Sequence, residues 1–439
     1  MKKLCPNYSL SEGRDSFPAW KPAHKGPPHG VTRTVFKRKN PLQAVTGTKG
    51  IISIVLFLIT CIILVTYAHA QTNQQGSRKH AWEISNQRDL GAAVQSAAFD
   101  PKYNSVYLAT LVNLFEVRDG KATSIAKSPT PGSQLQLAPG GNIYAWLFTE
   151  EKSRGLYFGY LMDIQGNRLA ELRLDSPPYG FGALVLGLEG KLILTATPLD
   201  DWQGVHGRFR YTFWSKDGHV LETVIRSERE IPIASVDGGA VLLLGRKEST
   251  AYSPEGKLMW RTRGSFRKGA IARGGQLALL NPAGQDEINQ VYVVTGSGQP
   301  TVVKLPTPVH HLRIAPDGSV AVIGGDSGRY FFLDTASGKL EEGKRLPFDN
   351  ALFISDINLV NRDLVAIGVL QREGKPPQHK WPRGSLVVIN RKGEVLFQTE
   401  YSIREPLSSR PAVVTTFEDS NVIAFTLDKT ILVRLEGSR

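Results

Sequence analysis

Apolar residues in this chain come in short runs of four to eight, and the runs are separated by Gly-, Asn-, Asp- and Ser-bearing turns in one recurring order. A short apolar run meets a Gly turn. A second run follows, then a polar gap, an aromatic-rich run and a turn of the form (Asp/Ser/Asn)-x-x-Gly-(Lys/Asn/Glu). The clearest copy is residues 312–345, "LRIAPDGSVAVIGGDSGRYFFLDTASGKLEEGKR". Runs this short, rich in Val, Ile, Phe and Tyr and bounded by turn residues, read as strands. A sentence repeated at fixed spacing reads as one supersecondary unit stacked on itself, because a single unit cannot cover its own hydrophobic faces. Four short strands per unit arranged radially make a β-propeller.

Eight units are expected. They cover 96–128, 134–174, 182–226, 233–263, 269–305, 312–345 and 352–401, and a last one shows only three strands, "AVVTTF", "NVIAFT" and "TILVRL". Its fourth strand has a donor upstream: residues 81–85, "AWEIS", resemble the outer-strand segment "LMWRT" and precede the first unit. An N-terminal strand completing the last sheet removes an exposed edge. Residues 81–439 divided by eight give about 45 each, the span of a four-stranded blade. The predicted class is all-β: an eight-bladed β-propeller, with seven blades as the alternative, closed by an N-terminal strand.

Ahead of it lies a different kind of chain. Ile51–Tyr67, "IISIVLFLITCIILVTY", carries no charge. A span needs about 20 apolar residues, so a single hydrophobic export or anchor helix is predicted over 51–70. Ala68-His69-Ala70 followed by Gln71 matches a small-x-small cleavage pattern, making Ala70 and Gln71 the candidate cleavage pair. Residues 1–50 hold ten Lys or Arg against Glu12 and Asp15, with much Pro, Gly and His. Such a segment is expected to be a disordered basic tail, and its charge keeps the N-terminus inside. The division expected is therefore 1–50 tail, 51–70 helix, 71–80 linker and 81–439 propeller. The propeller is expected in the periplasmic or extracellular space of a bacterial envelope, tethered to the cytoplasmic membrane through 51–67 or released from it.

Charge and cysteine content narrow the function. The chain's net charge is +13, but +8 of it sits in residues 1–50. The domain that remains is only weakly basic, which argues against nucleic acid as a partner. Cys5 and Cys61 are the only cysteines. The large domain therefore has no disulfide, no Cys-ligated zinc and no catalytic thiol.

The turn between third and fourth strands recurs as "FLDTASGKL", "AYSPEGKLMW", "VINRKGEVLF", "LMDIQGNRLA" and "FWSKDGHVLE". This resembles the repeat of quinoprotein-like (PQQ-like) propellers, and WD40-like propellers share much of it. The resemblance spans 81–439 as architecture. Its aromatic position is filled by Trp260 in one repeat. It implies either cofactor-bearing dehydrogenases or cofactor-free assembly proteins. The adjacent-cysteine disulfide typical of the large quinone-dependent dehydrogenases is absent, as is a Cys-x-x-Cys-His haem motif.

Chemistry, if present, is expected on the face where second strands turn into third strands and one blade passes to the next. Three second-to-third connections read as long loops: 197–208, 281–290 and 371–385. A moderate one covers 149–155. Loops longer than the turn requires commonly carry function. Trp202, His206, Arg208, His379, Trp381 and Arg383 are the candidate ligand- or partner-binding residues there, because Trp and Arg combine large contact area with directed donors. His310 joins them at the channel mouth. The adjacent His311 points to the other side of a regular strand, so the pair cannot ligate one ion. Tyr179, Phe181 and Phe266 are candidates for lining the cavity mouth, with strand capping as the ordinary alternative. Asp200-Asp201 and Asp286-Glu287 are the only paired carboxylates in long loops, and they read as solvated. No nucleophile-elbow, zinc-protease or P-loop motif occurs. No catalytic residue, metal or cofactor is expected. The expectation is a non-enzymatic extracytoplasmic platform binding a protein partner or small ligand. The alternative is a hydrolase, lyase or quinone-dependent oxidoreductase working at the channel mouth.

Overall fold

The computed structural model describes residues 82–88, 94–100, 105–110, 113–118, 121–127, 134–139, 141–149, 156–175, 183–200, 206–348, 352–373, 380–402, 412–415, 422–426 and 430–435. The expected tail, hydrophobic segment, cleavage pair Ala70 and Gln71, and linker lie outside these residues, as do Tyr179 and Phe181. Among the described residues no helix is long and apolar enough to cross a membrane.

The protein is an all-β propeller. After β1 (Trp82–Arg88), seven blades follow from consecutive antiparallel strands. Blade 1 holds β2 (Val94–Asp100), β3 (Ser105–Thr110), β4 (Asn113–Arg118) and β5 (Lys121–Lys127). Blade 2 holds β6 (Gln134–Leu137), β7 (Ile143–Thr149), β8 (Leu156–Asp163) and β9 (Arg168–Asp175). Blade 3 holds β10 (Ala183–Leu186), β11 (Ile193–Pro198), β12 (His206–Trp214) and β13 (Val220–Glu228). Blade 4 holds β14 (Ile231–Ala234), β15 (Val241–Leu244), β16 (Glu248–Tyr252) and β17 (Leu258–Arg263). Blade 5 holds β18 (Phe266–Ile271), β19 (Leu277–Pro282), β20 (Gln290–Thr295) and β21 (Pro300–Lys304). Blade 6 holds β22 (His311–Ile314), β23 (Val320–Gly324), β24 (Arg329–Asp334) and a broken outer strand, β25 (Lys339–Leu340) and β26 (Lys344–Arg345). Blade 7 holds β27 (Leu352–Leu359), β28 (Leu364–Glu373), β29 (Lys380–Asn390) and β30 (Val395–Ser402). A further four-stranded sheet is composite: β31 (Ala412–Thr415), β32 (Val422–Thr426) and β33 (Thr430–Leu435) are joined by β1, whose Trp82 stands opposite Leu435 and Arg88 opposite Thr430.

The first strands of successive blades neighbour one another, β6 against β10, β10 against β14, β18 against β22 and β22 against β27, while β32 lies against β2. First strands are therefore innermost. Because strands alternate in direction, the connections from second to third strands and from blade to blade share one face. The starts of the innermost strands share that face too.

The turn motif works as its residues suggest. Gly218 and Gly256, the glycines of two third-to-fourth turns, adopt φ of +85° and +81°, which side chains with a Cβ avoid. Each also touches the blade before it. A Cβ on Gly218 would stand 2.6 Å from the Glu171 carbonyl oxygen, and one on Gly256 would stand 2.4 Å from Glu222 Cβ. Glycine here sets both the turn and the spacing between blades.

The core lies in the seams between sheets. Ile193, Leu186 and Trp214 of blade 3 meet Leu161, Leu172 and Ile143 of blade 2. Val322, Tyr330 and Phe332 of blade 6 meet Ile354, Ile357 and Ile367 of blade 7. Trp260 is buried, and its indole N–H donates to the Gly275 carbonyl of the next blade at 2.6 Å. Phe266 is also buried, edge-on to Tyr292 at 5.7 Å between ring centroids. The expectation that it lines a cavity mouth is therefore corrected: it starts β18 and its ring packs into the seam with blade 4.

Candidate functional site

Two of the connections expected to be long loops are extended strand where they are described, with 201–205 and 374–379 outside the described residues. Residues 197–198 end β11 and 206–208 start β12, with Pro198 opposite Phe209. Residues 371–373 end β28 and 380–385 start β29, with Gln371 opposite Arg383 and Glu373 opposite Lys380. The sequence "KWPRGS" lacks the apolar alternation of a strand, but antiparallel pairing with an extended partner needs only backbone donors and acceptors. Blades 3 and 7 thus raise hairpins on one face. The third connection, 281–290, is ordered from within. Buried Asn281 donates its amide to the carbonyls of Ile288 (3.1 Å) and Gln290 (2.7 Å).

At the base of the blade 3 hairpin, Asp200 and Arg208 are locked together. The guanidinium donates to the carboxylate (Nη2 to Oδ1 2.8 Å, Nε to Oδ2 3.1 Å), and the Arg208 backbone N–H adds a third bond at 2.9 Å. The Arg208 side-chain bonds hold the Asp200 carboxyl well below its usual range, at about 2. Asp200 is thus not the merely solvated acid expected from sequence, and Arg208 spends its fork inside its own hairpin. Arg383 of β29 is exposed, with Nη1 3.9 Å from Glu400 Oε1 of β30. His206 opens β12 and Trp381 lies in β29. Trp202 and His379 lie outside the described residues.

The channel mouth of blades 5 to 7 gathers more chemistry. His310 precedes β22 and its Nε2 bonds the Asp326 carboxylate, which sits in the turn between β23 and β24. His311 begins β22 and turns toward blade 7, with Nε2 2.7 Å from the Ile354 carbonyl and Nδ1 3.8 Å from Asp356 Oδ1. Burial holds the His311 pKa well below its usual value, reinforced by the charges of Lys268 and Arg313. Adjacent histidines thus take separate partners. Arg313 Nη2 donates to Asp356 Oδ1 at 2.8 Å. From blade 5, Lys268 Nζ donates to the His310 carbonyl, and Arg267 donates to Val309 O (2.7 Å) and Asn281 Oδ1 (2.6 Å). Phe353, at the start of β27, lies 6.5 Å from both imidazoles and is 39% exposed.

A second polar cluster sits in the seam of blades 3 and 4, on the same face. Glu230, only 4% exposed, precedes β14. The Tyr211 hydroxyl donates to its carbonyl at 2.7 Å and accepts from its N–H at 2.6 Å. Its carboxylate lies 3.3 Å from Arg226 Nε, and Arg226 Nη2 reaches Thr250 Oγ1 (3.1 Å) and the Tyr252 hydroxyl. Burial pushes the Glu230 pKa up to about 7, with Arg226 opposing it. Among the described residues no group of His, Cys, Asp and Glu could hold a metal ion.

Sequence reasoning singled out His310 and read 197–208 and 371–385 as long loops. It missed Glu230, Arg226, Lys268, Phe353 and Asp356, which are single polar or aromatic residues at strand ends with no motif around them.

No protein-family model and no curated protein matches the chain. Among solved structures, the chain is similar to "KlHsv2 with loop 6CD replaced by a Gly-Ser linker", at 11% identity and a TM-score of 0.41, over 72% of this chain and 100% of that one. The propeller assignment stands on the chain's own sheet order.

Proposed function

We propose that this chain is a non-enzymatic β-propeller of the bacterial envelope that binds a protein partner or small ligand through one face. The observation that carries this is the shared placement of the two hairpins and the His310 channel mouth on the face of second-to-third connections. Rigid strand ends present contact residues at lower entropic cost than free loops do. Trp202, His206, Arg208, His379, Trp381 and Arg383 are the contact residues proposed, with His310 at the mouth.

In this reading the seven blades are of the quinoprotein-like or WD40-like kind, and β1 fastens the ring through the composite sheet. Residues 51–67 tether it to the cytoplasmic membrane with the N-terminus inside, or deliver it outward with cleavage after Ala70.

Affinity capture from envelope extracts tests the proposal. Wild type is compared with a variant whose hairpins are shortened across 197–208 and 371–385. A partner recovered by wild type and lost from the variant supports the reading. Equal recovery from both, with the variant folded by circular dichroism, overturns it.

A further inference from the structure

The side of the ring opposite the hairpins carries the first-to-second and third-to-fourth turns. Among the described residues ten large apolar side chains are exposed, and eight of them lie on that side, in a turn or within the first three residues of a fourth strand. Blade 2 gives Leu169, blade 3 gives Val220 (56% exposed) and Leu221, and blade 4 gives Val236 and Leu258 (47%). Val302 of blade 5 and Val395 and Leu396 of blade 7 repeat the position. Single exposed aliphatic residues are ordinary, but their gathering at one rim is not. The starts of β9, β13 and β17 are neighbours, because successive turns lean on one another. Gly218 of the blade 3 turn stands against the Glu171 backbone of β9, and Gly256 of the blade 4 turn against the Glu222 side chain of β13. The three turns hold Arg168, Lys216 and Lys257 against Asp163, Asp217 and Glu255, so this rim is apolar without a net sign of charge.

The chain enters the ring on the same side. β33 is the third strand of the composite sheet, and β1 pairs with it antiparallel, with Trp82 opposite Leu435. Third strands end and fourth strands begin at the turn side. Trp82 therefore stands there, and Arg88 stands at the side of the hairpins, ahead of β2. Residues 68–81 alone separate the uncharged run 51–67 from Trp82, a reach of at most about 50 Å. A tether this short gives an effective concentration on the order of millimolar, so contacts too weak to hold a free domain on a surface hold a tethered one.

We propose that the turn side of the ring lies on the lipid bilayer that carries residues 51–67, with Leu169, Val220, Leu221, Val236 and Leu258 seated at headgroup depth. The inference rests on the tether reading of 51–67 and is independent of the hairpins. Aliphatic side chains gain by leaving water, and the lysine stems beside them lie along the apolar layer with their ammonium groups among the headgroups. Equal numbers of cations and anions mean that the lipid need not be anionic. Seated this way, the ring turns the hairpins and the His310 mouth away from the bilayer.

Nitroxide accessibility in a reconstituted membrane tests it. The full chain, carrying Cys5→Ser and Cys61→Ser, is labelled at Leu221→Cys, Leu258→Cys or Arg383→Cys and placed in phosphatidylcholine vesicles. Arg383, exposed on the blade 7 hairpin, is the water-facing reference. Collision with oxygen relative to a water-soluble nickel chelate should be several-fold higher at 221 and 258 than at 383, and unchanged between ~0.05 M and ~0.5 M salt because no charge attraction is screened. A ratio at 221 and 258 equal to that at 383 overturns the proposal, as does shielding lost at the higher salt. Spin–spin broadening at 221 or 258 that disappears on dilution with unlabelled chain also overturns it, because a second copy then covers the rim. If Leu221→Cys does not fold, Val220→Cys and Leu169→Cys carry the same comparison. A chain that does not float with the vesicles defeats the tether reading and this inference together. A chain that floats with a wet rim defeats this inference alone.

Discussion

The two polar clusters on the face of second-to-third connections differ in how their contacts are shared between blades. In the seam of blades 3 and 4, a buried carboxylate has a guanidinium, and that guanidinium has a hydroxyl on either side, while one tyrosine hydroxyl satisfies both backbone groups of Glu230. The Arg226 guanidinium of blade 3 thus meets acceptors in the linker to blade 4 and in blade 4 itself. At the mouth of blades 5 to 7, the contacts reach across three blades instead: Arg267 and Lys268 of blade 5 donate to the carbonyls of Val309 and His310, and Arg313 of blade 6 donates to Asp356 of blade 7. Polar groups closed on themselves fasten sheets together. The same repeat builds a two-blade fastening in one place and a three-blade junction in the other.

If the first cluster is a fastening, breaking it is costly. Arg226→Ala leaves the Glu230 carboxyl without its cation and two hydroxyls without a donor, and should cost about 3 kcal/mol at pH 8 by denaturant unfolding. The loss should shrink at pH 5, where Glu230 is protonated and needs no cation. Tyr211→Phe leaves the Glu230 N–H and carbonyl unmet in a buried seam, and should cost about 1–3 kcal/mol at every pH. A small loss in either variant would make the first cluster no more than surface decoration.

The pH dependence follows from the Glu230 shift. Its folded pKa of about 7 lies above the ordinary 4.5, so the folded protein binds this proton more tightly than the unfolded chain does. The stability this confers is full below pH 4.5, falls as pH rises from there through 7, and is gone above it. Glu230→Gln should therefore lack this decline, and its melting temperature relative to wild type should rise between pH 5 and pH 8, by an amount equivalent to about 1–2 kcal/mol. A parallel pair of melting curves across that range would contradict the buried-acid account.

In the second cluster, Asp356→Asn takes from Arg313 the carboxylate it meets at 2.8 Å and should cost about 1 kcal/mol by denaturant unfolding. Smallest of all is the blade 3 hairpin pair: both partners are open to water, so Asp200→Asn should leave the denaturant midpoint of unfolding unchanged, whatever its effect on partner contact.

Much of the architecture was written in the repeat. The Gly-turn spacing located the strands of blades 2 to 7, because the turn needs glycine at positive φ, and at Gly218 and Gly256 the blade beside it needs glycine as well. The hairpin of blade 7 read as a loop because Lys380, Pro382, Arg383 and Gly384 carry no apolar alternation. Pairing continues there because the partner strand is present, which only the third dimension reveals. Glu230 does not stand out in "RSEREIP", since Arg226, Glu228 and Arg229 surround it with charge. Docking of blade 4 against blade 3 is what buries it. His310 was legible from its place at a strand start. Lys268 and Phe353 were not, because their meaning comes from three blades meeting at the channel and from no local pattern.

The most direct test of the binding face is hydrogen exchange by mass spectrometry on the chain with and without its captured partner. Slowed exchange should concentrate in peptides covering 206–210, 266–271, 309–314, 352–357 and 380–385, all on the face of hairpins and innermost-strand starts. Protection confined to the outermost strands, 220–228, 258–263 and 395–402, would contradict the account.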